Sequence, residues 1–131
     1  MPVVSDASPL IFLAKTGGLD LLKRLYLEVL IPREVEKEVT RQEASHEGEM
    51  YALSLALHKN IKEFLADDKL ARVAARIIEI KAIGCLGVVM KVYETSIITR
   101  SEAVNTIQKL VEVGLWISPE VLGEVLTSME G

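Results

Sequence analysis

The chain has 131 residues, 50% of them hydrophobic and 26% charged, with a formal net charge of −4 and one cysteine. That is enough for a single domain over residues 1–131 with a real core, and the acidic balance excludes a protein that coats nucleic acid nonspecifically, although a local basic rim can still serve a substrate strand. The lone Cys85 excludes an internal disulfide, no apolar run approaches a membrane span, and the first residues lack the pattern of a signal peptide, so a cytoplasmic protein with no membrane contact is expected.

In chain order, Val3-Val4-Ser5-Asp6 reads as a strand ending on an aspartate. Ser8 reads as the N-cap of the helix that follows, with Pro9 at its first position, where no hydrogen bond is lost. That helix runs from Leu10 to Lys15 and is ended by Gly17-Gly18. A second covers Leu19 to Leu25, and Val29-Leu30-Ile31 is a strand. Pro32 opens a helix in which Val35 and Val39 face inward, and Glu34 and Glu38, four apart, share a face. Thr40 to His46 is a polar loop, and Glu47-Gly48-Glu49 leads into an apolar helix through Leu57.

The opening grammar recurs at Phe64-Leu65-Ala66-Asp67-Asp68, a short apolar run ending in acids. A long helix follows, with Leu70, Val73, Ala74, Ile77 and Ile78 at helical spacing. Lys81-Ala82-Ile83 is a further strand, and from about residue 84 the chain is helical. Thr99 to Glu102 spells a capping box before a helix that buries Val104, Ile107 and Val111. Ser118-Pro119 starts a last helix with a Val121, Leu122, Val125, Leu126 stripe. Alternating strands and helices predict an α/β fold, with a mostly parallel sheet covered on both faces.

In such a sheet, ligands bind outside the carboxyl ends of the strands, the edge to which Asp6 and the Asp67-Asp68 pair are delivered. Each acid has a plain alternative: Asp6 a local turn or cap, Asp67 or Asp68 a helix cap, Glu34 and Glu38 solvated carboxylates, Glu49 a partner for the helix dipole. Converging together they would repel, and a hard divalent cation removes that repulsion; oxygen ligands select Mg²⁺ or Mn²⁺. Such a site activates water and stabilises the charge of phosphodiester cleavage. Ser8, Lys69 and Arg72, with Arg76, Lys15 and Arg33 near the same turns, are candidates to hold substrate phosphates, and each cation taken singly is equally a solvated face. His46, His58 and Cys85 are not spaced as a metal set, and two phenylalanines, three tyrosines and one tryptophan are too few for a base-stacking platform.

The chain resembles a PIN-domain protein, in a small prokaryotic branch of unknown function, over nearly its whole length. The likeness rests on Val4-Ser5-Asp6-Ala7-Ser8-Pro9-Leu10-Ile11, on Ile31-Pro32 with Val35 and Glu38-Val39, on Glu47-Gly48-Glu49, and on Leu65-Ala66-Asp67-Asp68 with Arg72 and Ala75. Gly84-Cys85-Leu86-Gly87-Val88 and Gly114-Leu115-Trp116-Ile117-Ser118 are similar to that branch's C-terminal half. The resemblance implies a three-layer α/β/α sandwich and a metal-dependent endoribonuclease of single-stranded RNA, often the toxin paired with an antitoxin protein. It puts the four acidic positions on Asp6, Glu38, Glu49 and Asp68 as the catalytic set, with metal held by Asp6, Glu49, Asp67 and Asp68. One departure is the segment between the second acid and the Gly-Glu motif, which is longer in relatives. A homodimer is expected from the apolar content and the resemblance together.

Two other readings stand beside the nuclease. One is a PIN-like module that binds RNA or a partner protein without cutting it. The other is a phosphoacceptor receiver domain, which expects its paired acids after the first strand, whereas here they follow Phe64-Leu65-Ala66.

Overall fold

The computed structural model describes residues 2–130. Four strands, β1 (Pro2–Ser5), β2 (Glu28–Leu30), β3 (Glu63–Leu65) and β4 (Lys81–Ile83), form one all-parallel sheet in the order β2-β1-β3-β4. Eight helices surround it among the described residues: α1 (Ala7–Lys15), α2 (Leu19–Leu25), α3 (Arg33–Arg41), α4 (His46–His58), α5 (Lys69–Ile77), α6 (Cys85–Glu94), α7 (Arg100–Glu112) and α8 (Pro119–Ser128).

The pleat divides the core in two. Val3, Leu65 and Ile83 point to one face, where they meet Leu22 of α2, Val88, Val89 and Val92 of α6, and Ile107 and Leu110 of α7. Their neighbours Val4, Phe64 and Ala66 point to the other, against Val35 of α3, Ala52 and Ala56 of α4, and Ala71 and Ala75 of α5. Alternate side chains of one strand thus serve opposite layers, which makes an α/β/α sandwich. Both faces are covered, so the strands read as short continuous apolar runs.

The strand order reverses between β1 and β3. β1 pairs with β2 on one side and β3 on the other, and the ladder continues to an Asp6 N–H bond to the Leu65 carbonyl at 2.9 Å. A crevice therefore opens at the carboxyl ends of β1 and β3, the place where open α/β sheets bind ligands.

Several local expectations need correction. α1 starts at Ala7, not after Ser8, because the Asp6 carboxylate itself accepts from the Ala7 N–H at 2.7 Å and caps the helix. Pro9 then takes the third helical position, where its missing N–H also costs nothing. The polar loop between α3 and α4 shrinks to residues 42–45, with Gln42 in the left-handed region and Ser45 as the N-cap of α4. In α5 the expected apolar row splits: Leu70 is 67% and Ile77 76% exposed and Val73 faces outward with them, Ala74 and Ile78 are half-buried, and Ala71 and Ala75, one residue further round, pack on the sheet. Small residues there let the helix lie close to β3 and β4. α7 likewise buries Ala103, Ile107 and Leu110 and leaves Val111 exposed, and α8 carries no fully buried residue. The Thr99–Glu102 capping box and the Ser118-Pro119 start form as expected.

Candidate metal and phosphodiester site

Three helices present their N-termini to the crevice, and each is capped by a residue of that region. Asp6 caps α1 through Oδ1. Asp68 caps α5, Oδ2 accepting from the Ala71 N–H at 3.1 Å. Ser45 caps α4, its hydroxyl accepting from the Gly48 N–H at 3.2 Å. The plain and the functional readings of the two aspartates are therefore compatible: one oxygen caps and the other is free. The three helix dipoles also favour negative charge at this edge.

Asp6 shows what the capping leaves over. Its side chain is fully buried, and Oδ2 has no hydrogen-bond partner. Burial pushes its pKa up to about 7; the Ala7 N–H opposes this, and the carboxylates of Glu49, Glu38 and Asp68 add to it. Three acids thus bear on Asp6. Burial, then the neighbouring Asp68 carboxylate, also raises Glu49.

His46, Glu49 and Asp68 each bring one donor atom to within 4.8 Å of the others. His46 and Glu49 are three apart on the first turn of α4, and His46 Nδ1 lies 3.2 Å from Glu49 Oε2. That carboxylate raises the imidazole pKa. His46 forms no metal-like spacing with His58 or Cys85, yet its i, i+3 spacing to Glu49 puts the two on one helix face, a signal legible in the sequence. His58 closes the same helix, roughly 18 Å away along its axis. The donor set accordingly includes a nitrogen, where oxygen alone was expected.

Glu38 stands behind this cluster. It is nearly buried, its Oε1 accepts from the Ser45 N–H at 2.6 Å, and its carboxylate lies against the Cα of Gly48. A Cβ at Gly48 would come within 2.6 Å of Glu38 Cδ, so the glycine between Glu47 and Glu49 makes room for that carboxylate. Glu38 ties the 42–45 loop and the start of α4 together.

Asp67 turns away. Its Oδ1 accepts from the Cys85 N–H at 2.7 Å at the start of α6, and its Oδ2 lies 3.1 Å from Cys85 Sγ. Burial raises its pKa against these bonds. Burial also raises the Cys85 thiol, with the Asp67 carboxylate beside it.

Around the acids, a crevice of about 570 Å³ is lined by Ser8, Phe12, Lys69, Arg72 and Trp116 together with His46, Glu49 and Asp68. Lys69 and Arg72 lead from it into a groove along α5 and β4 that adds Arg76 and Lys81 and holds no acid. Among the described residues no lysine or arginine pairs with Asp6, Glu49 or Asp68; the ion pairs are Arg24–Asp20, Lys91–Glu63 and His46–Glu49.

A reversal of strand order with acids from β1, α4 and the β3–α5 turn at its mouth is one half of the assignment. The other half is that a family model for a PIN domain matches residues 2–47 and 42–131. The chain belongs to the PIN-domain family. The two matched stretches of this PIN domain overlap at the loop between α3 and α4, where its connection is short. No curated protein and no solved structure matches the chain.

The PIN-domain site fits a divalent cation by its own chemistry. Among the described residues, like charges are concentrated with no lysine or arginine paired to Asp6, Glu49 or Asp68, and a buried carboxylate oxygen is orphaned. Each arrangement costs free energy unless a cation is bound. Asp6, Glu49 and Asp68 would hold such an ion, with His46 as a fourth donor. In the described residues no helix is long and apolar enough to cross a membrane.

Proposed function

We propose that the protein is a metal-dependent endoribonuclease acting on single-stranded RNA. The orphaned, fully buried Oδ2 of Asp6 carries this reading, since the carboxylates of Glu49, Glu38 and Asp68 lie near enough to oppose its ionisation and, among the described residues, no lysine or arginine offsets them. A divalent cation, Mg²⁺ or Mn²⁺, bound there supplies the positive charge that eases ionisation of an attacking water and offsets charge gathering on the phosphate. The chain does the rest. Asp6, Glu49 and Asp68 would hold the cation, and the bond that Glu49 accepts from His46 keeps the imidazole ring at the crevice mouth. Lys69 and Arg72, with the Ser8 hydroxyl, hold the phosphate so that the scissile bond lies over the acids; fixed placement of this kind lowers the barrier by removing the cost of orientation. The cation row Lys69, Arg72, Arg76 and Lys81 supports a strand path along α5.

The family resemblance extends the proposal to a cytoplasmic toxin restrained by an antitoxin protein. The exposed Leu70 and Ile77, which lie outside the groove of Lys69, Arg72, Arg76 and Lys81, support a homodimer packed through that side of α5.

A non-cutting module is the second reading, and Glu38 favours it. One of the four acids spends its carboxylate on the Ser45 N–H and on the space left by Gly48. Cleavage of a mixed single-stranded RNA pool separates the two. Cutting in Mn²⁺ that is absent in EDTA and in Asp6→Asn supports the nuclease. RNA binding without cutting, in a folded and manganese-loaded protein, supports the module.

A further inference from the structure

We propose that Trp116 is a nucleobase-stacking residue that fixes the register of the RNA strand over the acid cluster; the inference rests on the ribonuclease reading above. Trp116 is the chain's one tryptophan and is 80% exposed, an unusual position for the largest side chain in a domain with a developed core.

It does not hang from a loose loop. Gly114, at φ +109°, turns the chain at the end of α7 in a conformation that a side chain would oppose. Leu115 is then anchored in the core, its N–H bonded to the Leu110 carbonyl at 2.9 Å. Two residues beyond the indole, Ser118 caps α8, its hydroxyl accepting from the Val121 N–H at 3.2 Å. A segment pinned on both sides thus presents the ring outward, and that ordering is complete before a ligand arrives.

The ring stands on a ridge. On one side is the acid crevice, where Phe12, Lys69 and Arg72 also reach. On the other is an apolar groove lined by Leu86, Met90, Ile117 and Val121, to which Arg72 and Trp116 again contribute. A flat aromatic face beside cations that suit phosphates, at the mouth of a carboxylate cluster, matches one nucleotide of a single strand. The base stacks on the indole, and its phosphate reaches Arg72. Paired bases do not offer a free face, so the same contact selects against duplex. The chain is too poor in aromatics for an extended platform, but one stacked base is enough to set which phosphate lies over the acids.

Because Trp116 is the one tryptophan, its emission reports this position alone. The test titrates the protein in Mg²⁺ with a cleavage-resistant phosphorothioate octaribonucleotide, with the same strand lacking bases, and with its duplex. The intact strand should quench Trp116 emission, and the other two should not. By anisotropy of a labelled strand, Trp116→Ala should bind roughly 10-fold more weakly, with Trp116→Phe recovering most of the loss. On cleavable RNA, Trp116→Ala should raise KM more than it lowers kcat. Strand binding without a change in emission, or Trp116→Ala cutting with the KM of the wild type, overturns the stacking role and leaves the nuclease standing. Emission that responds to protein concentration and not to RNA overturns it in favour of a protein-covered indole. A wild-type protein that neither binds nor cuts the strand overturns both readings.

Discussion

The sharpest consequence of the buried Asp6 concerns stability. A carboxylate raised from 3.8 to about 7 in the folded chain holds its proton more tightly than the unfolded chain does. At about 1.4 kcal/mol for each pKa unit, ionising it in place costs roughly 4 kcal/mol. The sign follows directly. The stabilisation is complete below about pH 4, declines as pH rises, and is lost once pH passes about 7. Between about pH 5 and pH 8 the metal-free protein should lose roughly 2–3 kcal/mol from this group, a large share of the ~5–15 kcal/mol that holds a domain together. Asp6→Asn keeps an oxygen for the Ala7 N–H and removes the ionisation. Urea denaturation in EDTA should therefore find Asp6→Asn more stable than wild type by that amount at pH 8 relative to pH 5, on the order of 10 °C in Tm. Manganese at a hundredfold over its Kd should return about 2.7 kcal/mol to the wild type and less to the variant. A difference between the two proteins that is the same at both pH values, and untouched by manganese, would refute the argument that Asp6 is a strained carboxylate awaiting a cation.

Gly48→Ala drives a methyl group into the Glu38 carboxylate and should cost about 1–3 kcal/mol in urea denaturation; in a Glu38→Ala background most of that cost should vanish, and strict additivity would show that the two are not in contact. His46→Ala should weaken manganese binding and flatten its pH dependence. The imidazole must be deprotonated to ligate, and the Glu49 bond that raises its pKa makes affinity fall as pH is lowered through that value; calorimetry that returns the wild-type pH profile would remove His46 from the site. Leu70→Asp with Ile77→Asp, both on exposed positions of α5, should convert a dimer to a monomer in light scattering without a large change in Tm, and a wild-type monomer mass at micromolar concentration would refute the α5 interface.

The linear sequence carried the alternation of strand and helix, the two apolar runs that end in acids, and the caps at Thr99 and Ser118. These are local matters, settled by hydrogen bonds and spacings within a few residues. The cost of like charges at one sheet edge drew attention to the acids as a group, but it was the resemblance to the PIN domain that singled out Asp6, Glu38, Glu49 and Asp68 among them. What the sequence could not decide was which oxygen of each acid stays free. Asp67 and Asp68 are neighbours in sequence, yet one bonds Cys85, eighteen residues on, and the other caps α5 and joins His46 and Glu49. Helical periodicity fitted both the Leu70–Val73–Ile77 row and the Ala71–Ala75 row, which lie one residue apart. Only the close approach of β3 and β4 chose the alanines for the interior. The i, i+3 spacing of His46 and Glu49 is local and legible, but their meeting with Asp68, and the arrival of Trp116 at the mouth of that crevice, close distances of about twenty residues or more along the chain by packing, for which no local pattern in the sequence holds a signal.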